Sequence, residues 1–392
     1  MQIGTHVKND AHSTPPVSGS LPTDRAACAP ASAPAGRGEL PVLPDSIRVE
    51  AVASCQLKCP SCPTATGAIR RAIPAGYLRF ESFKRLVDSN PTVRHVELSN
   101  YGEMFLNPDL VRILEYADKC DVVLTANNGV NLNTADEDVL QALVTYRFHS
   151  MTCSIDGASQ ETYEIYRRKG RFERVIENVR AINRFKKQHN SQHPILTWQF
   201  IVFGHNEHEV PRVKQLCREL DMLFKPKISW DDDFSPIRDP EFVLRETGLP
   251  DTRQGFREQH GVDYSRNVCL QLWNQPQINW DGRILGCGRN FWGDFGGNAF
   301  TDGLSAALNN KKMCDAREML IGRREPRDDV PCTTCENYLS MRQNGDWISQ
   351  REIRIHRLFH RAAMWKAPSV FFRAVRSILH RKRLLKVLRR LC

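Results

Sequence analysis

A chain of 392 residues, 41% of them apolar, has material for one large domain plus a smaller one. No apolar run reaches the ~18 residues of a membrane span, and the N-terminus lacks the basic, apolar, small-residue order of a secretory signal, so a cytoplasmic protein is expected. The net charge of +10 does not describe a nucleic-acid-binding body, because residues 351–392 alone hold thirteen Lys or Arg against the single acid Glu352.

Residues 1–42 are rich in Pro, Ala, Ser and Gly and read as a disordered leader, with Cys28 incidental to it. This leader is too short and too polar for an added peptide-binding domain. Residues 43–250 alternate strand-like and helix-like pieces: a strand over Ile47–Ala53, a helix over Phe80–Asp88, a strand over Val93–Leu98, a helix over Asp109–Ala117 and a strand over Val122–Thr125. Helices over Glu137–Leu143, Glu173–Phe185 and Glu207–Leu220 then separate strands over Met151–Ile155, Thr197–Val202 and Pro226–Trp230. Six such units imply an α/β fold with a curved or wound parallel sheet, whose chemistry belongs at the C-terminal ends of its strands. Residues 231–268 lose periodicity and read as a connector, inside a segment 251–345 that carries a second group of cysteines.

Thirteen cysteines in a cytosolic chain point to metal ligation or plain burial more than to disulfides. The loop after the first strand holds Cys55, Cys59 and Cys62 within eight residues. Thiolates at this spacing suit zinc or an iron–sulfur cluster, and three ligands leave one position open for a chelating molecule.

Cys-x3-Cys-x2-Cys directly after a first strand resembles the signature of the radical S-adenosylmethionine (SAM) superfamily. The resemblance implies a partial (β/α)6 barrel, a [4Fe-4S] cluster on Cys55, Cys59 and Cys62, and chelation of S-adenosylmethionine by the open iron. It further implies reductive cleavage to a 5′-deoxyadenosyl radical that takes a hydrogen atom from the substrate. Ser61 stands where the family often has an aromatic residue. Gly102 and Glu103, after the second strand, resemble the family's Gly-Glu motif for the cofactor's amino group, and a carboxylate suits an ammonium at close range. Asn127-Asn128-Gly129 resembles the Thr-Asn-Gly that follows the third strand, which gives Asn127 a cofactor contact. Ser154, in Ser-Ile-Asp, matches a serine facing the cofactor, and Arg167 matches an arginine paired with its carboxylate, with Arg168 as the competing candidate.

Further along, Cys269, Cys287, Cys332 and Cys335 converge if the Asp281-Gly282 pair makes a hairpin. Spacing leaves zinc and a four-iron cluster equally open. The segment resembles the SPASM or twitch extension of radical SAM enzymes, which implies one auxiliary [4Fe-4S] cluster on these four cysteines, with Cys314 as a substitute ligand. Cys120, Cys153 and Cys217 read as packed residues of the barrel.

Residues 346–392 form a basic tail, in which Leu384, Leu385, Leu388 and Leu391 share one helical face and Lys382, Arg383, Lys386, Arg389 and Arg390 the other. The pattern suits the inner face of a membrane, an acidic partner or a solvated helix docked on the barrel. The expected function is hydrogen-atom abstraction from a small-molecule, sugar or cell-envelope-linked substrate, with flavodoxin or ferredoxin as electron donor. Two alternatives are a maturase of a ribosomally made peptide and a non-catalytic zinc- or nucleic-acid-binding scaffold.

Overall fold

The computed structural model describes residues 41–364, so the leader up to Leu40 and the tail beyond Met364 lie outside the described residues. Eight strands make one sheet: β1 (Ser46–Val49), β2 (His95–Glu97), β3 (Val123–Val130), β4 (Ser150–Ser154), β5 (Ile195–Val202), β6 (Leu223–Ile228), β7 (Gln277–Ile278) and β8 (Ile284–Gly286). Their order is β6-β5-β4-β3-β2-β1-β7-β8, and β1 to β6 run parallel in chain order. Helices alternate with the strands as the periodicity demands. Leu110–Lys119 buries Leu110, Ile113, Leu114 and Ala117, the i, i+3, i+4, i+7 stripe of a helix laid on a sheet. Asp109, just before it, accepts from the Phe80 N–H at 2.9 Å and so ties two helix starts together.

Several boundaries differ from the sequence expectation, each for a local reason. The last barrel strand starts at Leu223 and not at Pro226; a proline is tolerated because β6 is an edge strand. The Asn127-Asn128-Gly129 motif lies within β3 and not after it. There the register with β4 shifts between Ala126 and Val130, and Gly129 sits at φ +140°. The expected connector contains two helices, Pro240–Thr247 and Arg253–His260, each opened by a side-chain cap from Asp239 or Thr252 and closed by a left-handed glycine, Gly248 or Gly261.

The Asp281-Gly282 hairpin forms, with Gly282 at φ +91° and Ile278 opposite Ile284. Its first strand, β7, also pairs in parallel with β1, so the sheet continues into the cysteine-rich segment. Arg48 holds this join. Its Nε donates to Gln277 Oε1 at 2.8 Å, Nη1 to Gln275 Oε1 at 3.3 Å and Nη2 to the Ser99 carbonyl at 3.0 Å. Arg48 is also the counter-charge of the fully buried Glu97. Burial alone would raise that carboxyl, yet Arg48, with hydrogen bonds from Ser99, Thr125 and the Asn127 N–H, holds it below the usual carboxylate range. Among the described residues no helix is long and apolar enough to cross a membrane.

Arg48→Leu leaves Glu97 buried without its cation, so the folded state should lose about 3–5 kcal/mol. Arg48→Lys should restore only part of this, since one ammonium cannot reach Gln275, Gln277 and Ser99 together. Urea unfolding midpoints of the three proteins measure both effects.

Candidate functional site

The C-terminal ends of the barrel strands open into a cavity of about 890 Å³, lined also by residues of the cysteine-rich segment. The loop after β1 carries Cys55, Cys59 and Cys62 into its wall. This loop is anchored by an apolar cluster of Leu57, Cys59, Tyr166, Ile201 and Phe203, against which Cys55, Cys62 and Phe234 pack. Ser61 Oγ donates to Asp231 Oδ2 at 2.6 Å, so a polar tie to the loop after β6 stands where relatives of the motif carry an aromatic.

Two of the sulfurs receive donors. Asn131 Nδ2 lies 3.6 Å from Cys55 Sγ, and Arg167 Nη1 lies 3.7 Å from Cys59 Sγ. Arg167 also binds Asp156 through Nε at 2.5 Å, with Asp156 wholly buried. Burial, the field of Glu103 and the neighbouring thiols push Cys55 up to about 12, so ligation here requires loss of that proton.

The Tyr101-Gly102-Glu103 turn is fixed from beneath. Glu50 accepts from the Tyr101 N–H at 3.0 Å and the Gly102 N–H at 3.1 Å. Glu103 accepts from the Asn131 N–H at 2.6 Å and the Phe105 N–H at 3.3 Å. Burial raises both carboxyls to about 7, against the pull of these N–H groups. Gly102 runs so close to the chain after β1 that a Cβ would stand 1.8 Å from the Val52 carbonyl oxygen. At Gly129 a Cβ would meet Ser154 Oγ at 2.5 Å.

Of the residues singled out by sequence, Cys55, Cys59, Cys62, Gly102, Glu103, Ser154 and Arg167 line this one cavity. Asn127 does not. Its side chain exchanges hydrogen bonds with Ser150 and its N–H goes to Glu97, while Asn128, Gly129 and Asn131 face the cavity. The tie to Ser150 on the neighbouring β4, where the register shifts between Ala126 and Val130, turns Asn127 away. Asn131, Gln199, Lys227, Trp230, Arg253 and Arg289 also line the cavity and were not singled out. Lys227 alone had a sequence signal, a charged residue near the end of a strand.

The second group of cysteines comes from three parts of the chain. Cys269 lies in a short 3-10 turn, Arg266–Leu270, Cys287 follows β8, Cys332 lies in another such turn, Pro331–Thr334, and Cys335 closes it with an N–H to Cys332 carbonyl bond of 3.0 Å. Their charges interact: Cys287 and Cys335 bear on Cys269, and Cys287, Cys269 and Cys335 on Cys332. Asn337 Nδ2 approaches Cys269 Sγ at 3.9 Å, and Cys335 reaches the cavity wall. Cys314 lies apart, exposed, with its thiol donating to the Asn309 carbonyl. All the described cysteines are unpaired. Among the described residues no three His, Cys, Asp or Glu side chains meet closely enough to hold one metal ion.

The donor set nevertheless suits a cluster-bound chelate. It offers three soft thiols on one loop, N–H donors to two of the sulfurs, and a glycine-lined backbone at close approach. Buried polar atoms without partners face the same space, among them Tyr101 OH, Asn100 Nδ2 and Gln199 Oε1.

Comparison with known proteins follows the same line. Residues 49–217 match the sequence model of the radical SAM superfamily. No curated protein sequence matches the chain. In fold the chain is similar to SuiB of Streptococcus suis bound to S-adenosylmethionine, with TM-score 0.54, 14% identity, and coverage of 76% of this chain and 72% of that one. SuiB bound to precursor peptide SuiA gives TM-score 0.53, 12% identity and coverage of 76% and 70%. The anSMEcpe structure with bound AdoMet gives TM-score 0.51, 16% identity and coverage of 74% and 86%. At these identities the likeness is one of fold, a mostly parallel sheet with helices between its strands.

Two consequences can be measured. Gly102→Ala drives a methyl into the Val52 carbonyl, so it should cost about 1–3 kcal/mol in unfolding experiments and lower the iron bound after reconstitution. Glu50 ionises near 4.5 when unfolded and near 7 when folded. Its contribution is therefore complete below 4.5 and is lost as pH rises through 7. Glu50→Gln should gain roughly 3 kcal/mol relative to the native chain between pH 4.5 and pH 8, read from denaturant unfolding of the metal-free proteins.

Proposed function

We propose that this protein, whose residues 49–217 match the sequence model of the radical SAM superfamily, is a radical SAM enzyme acting on a small-molecule, sugar or cell-envelope-linked substrate held in the cavity. The observation that carries the reading is the common wall. Cys55, Cys59 and Cys62 border the same space as Glu103, Ser154 and Arg167. The catalytic [4Fe-4S] cluster belongs on the three thiols, S-adenosylmethionine beside it, and a second [4Fe-4S] cluster on Cys269, Cys287, Cys332 and Cys335. When bound, the catalytic cluster and S-adenosylmethionine supply the radical that abstracts a hydrogen atom.

The chain's own residues bind, orient and shield. Asn131 and Arg167 donate towards the sulfurs of Cys55 and Cys59 and favour their ionised form. Glu103 offers a carboxylate for an ammonium group, fixed in place by two backbone N–H bonds. Gln199 Nε2 holds Ser154 Oγ at 3.3 Å, which sets that hydroxyl towards the cavity and leaves Gln199 Oε1 free to accept. Tyr166, Ile201 and Phe291 provide apolar wall, which keeps water and stray hydrogen donors from the reacting carbon.

The size of the cavity favours a small substrate, since about 890 Å³ lies in the upper part of the ~300–1,000 Å³ range of small-molecule sites and admits a cofactor with a modest second molecule. A one-electron donor such as flavodoxin or ferredoxin completes the scheme, and the second cluster, bordering the cavity at Cys335, suits electron transfer to or from the substrate.

Anaerobic reconstitution followed by iron and sulfide analysis tests this directly. The native chain should hold about eight irons, and a Cys55→Ala, Cys59→Ala, Cys62→Ala variant about four. Dithionite-reduced native protein should release 5′-deoxyadenosine from S-adenosylmethionine and the variant none. Zinc without sulfide at both sites would sink the reading in favour of a structural scaffold.

A further inference from the structure

Building on the proposed radical SAM function, we propose that the substrate is a small molecule bearing an anionic group, a phosphoryl or carboxylate, which Arg253, Arg289 and Lys227 receive against the face of Trp230.

These residues come from three places in the chain and line one part of the cavity wall. Trp230 follows β6, Arg253 opens the helix Arg253–His260, and Arg289 follows Cys287. The Arg253 guanidinium carbon lies 3.3 Å from the centre of the Trp230 ring and that of Arg289 lies 5.0 Å from it. A cation on an indole face is ordinary; two on the same indole bring like charges together.

Asp263 and Asp232 bear on Arg253 from a distance, and neither forms an ion pair with it. Arg253 uses Nε on the Ser229 carbonyl at 2.9 Å, while its Nη2 is fully buried and has no partner. A desolvated guanidinium donor left unmet is costly, which marks a place where an acceptor belongs. Arg289 is paired only with Glu336, whose side chain is 82% exposed, so the pair is a weak one. Lys227 has neither a hydrogen bond nor an ion pair among the described residues. The acid that bears on it, Asp156, is committed to Arg167. The strain shows in the charges themselves: burial and then Arg289 hold Arg253 down to about 10, and burial holds Lys227 down to about 8.

A single anion relieves all of this. A planar guanidinium fork suits phosphoryl or carboxylate oxygens, and a flexible ammonium can follow either. Trp230, itself 48% exposed, and Trp292, 38% exposed, supply apolar faces beside the cations for the body of the substrate.

The test uses the full chain, reconstituted anaerobically and saturated with S-adenosylmethionine, titrated by calorimetry with inorganic pyrophosphate and, separately, with citrate. One-site binding of at least one anion is expected, the stronger naming the group. Arg253→Gln and Arg289→Gln should each weaken it about tenfold or more. Lys227→Met, which disturbs no internal partner, should weaken it as well, whereas Arg184→Gln on the exposed surface should leave it unchanged. The inference is overturned by absence of saturable binding, by isotherms that the Arg253→Gln, Arg289→Gln double variant leaves intact, or by anion binding seen only without S-adenosylmethionine, which would assign these cations to the cofactor. Cofactor affinity and substrate-free release of 5′-deoxyadenosine in the same variants report separately on the radical SAM reading.

Discussion

One device recurs along the sheet and sets the shape of the cavity: a buried carboxylate near the end of one strand accepts backbone N–H groups from the next strand or its loop. Glu50 holds Tyr101 and Gly102, Glu97 holds Asn127 at 2.8 Å, Glu103 holds Asn131, and Asp156 holds Ile201 at 2.7 Å. At these points the chain leaves the regular ladder, and each N–H would otherwise be buried unmet at about 1–3 kcal/mol. The carboxylates also carry a desolvation cost. Where a guanidinium stands close and several hydrogen bonds converge, as at Glu97, the charged form wins; where backbone donors act with little else, as at Glu50 and Glu103, burial wins and the group sits near neutrality.

This explains what the sequence could and could not disclose. Strand–helix alternation and the Cys-x3-Cys-x2-Cys loop are local patterns, and they lead to the sheet and to the loop after β1. The hairpin at Asp281-Gly282 is local too, since only a glycine accepts φ +91° there cheaply. Asn127 was misplaced because a bulged strand and a loop look alike when Asn, Asn and Gly follow one another. The short helices after β6 were legible in their Asp239-Pro240 and Thr252 starts and their closing glycines, but their sparse apolar residues hid them. The pairing of β7 with β1 rests on Arg48 and Gln277, 229 positions apart, and no periodicity encodes it.

That non-local join governs the second half of the site. β7 fixes the hairpin, the hairpin fixes Cys287, and the segment before it is pinned by Arg266. Arg266 donates to the Asp346 carbonyl at 2.8 Å and the Trp347 carbonyl at 3.0 Å and pairs with Glu352 at 2.9 Å. Arg317 adds bonds to the Leu272 and Leu308 carbonyls at 3.0 and 2.8 Å. Both arginines are almost fully buried, Arg317 held by backbone carbonyls and Arg266 by carbonyls together with the Asp346 and Glu352 carboxylates, so they act as rigid pins and not as surface charges. Cys269, six residues before Arg48's partner Gln275 in the network, and Arg289, two residues after Cys287, inherit their positions from this framework.

Groups of unlike charge border the cavity that results. The thiols, Glu103 and the Asp156–Arg167 pair line it, and so do Lys227, on which Asp156 bears, and Arg253 and Arg289 beside Trp230. On the proposal made above, an acidic group of the substrate would sit on Arg253 and Arg289, where the buried Arg253 Nη2 lacks an acceptor. Such an anchor would fix one extremity of the substrate and restrict the orientations open to the other. Selection of the bond to be broken then follows from the length between anion and reacting carbon, a spacing that rigid pins such as Arg48 and Arg266 hold constant.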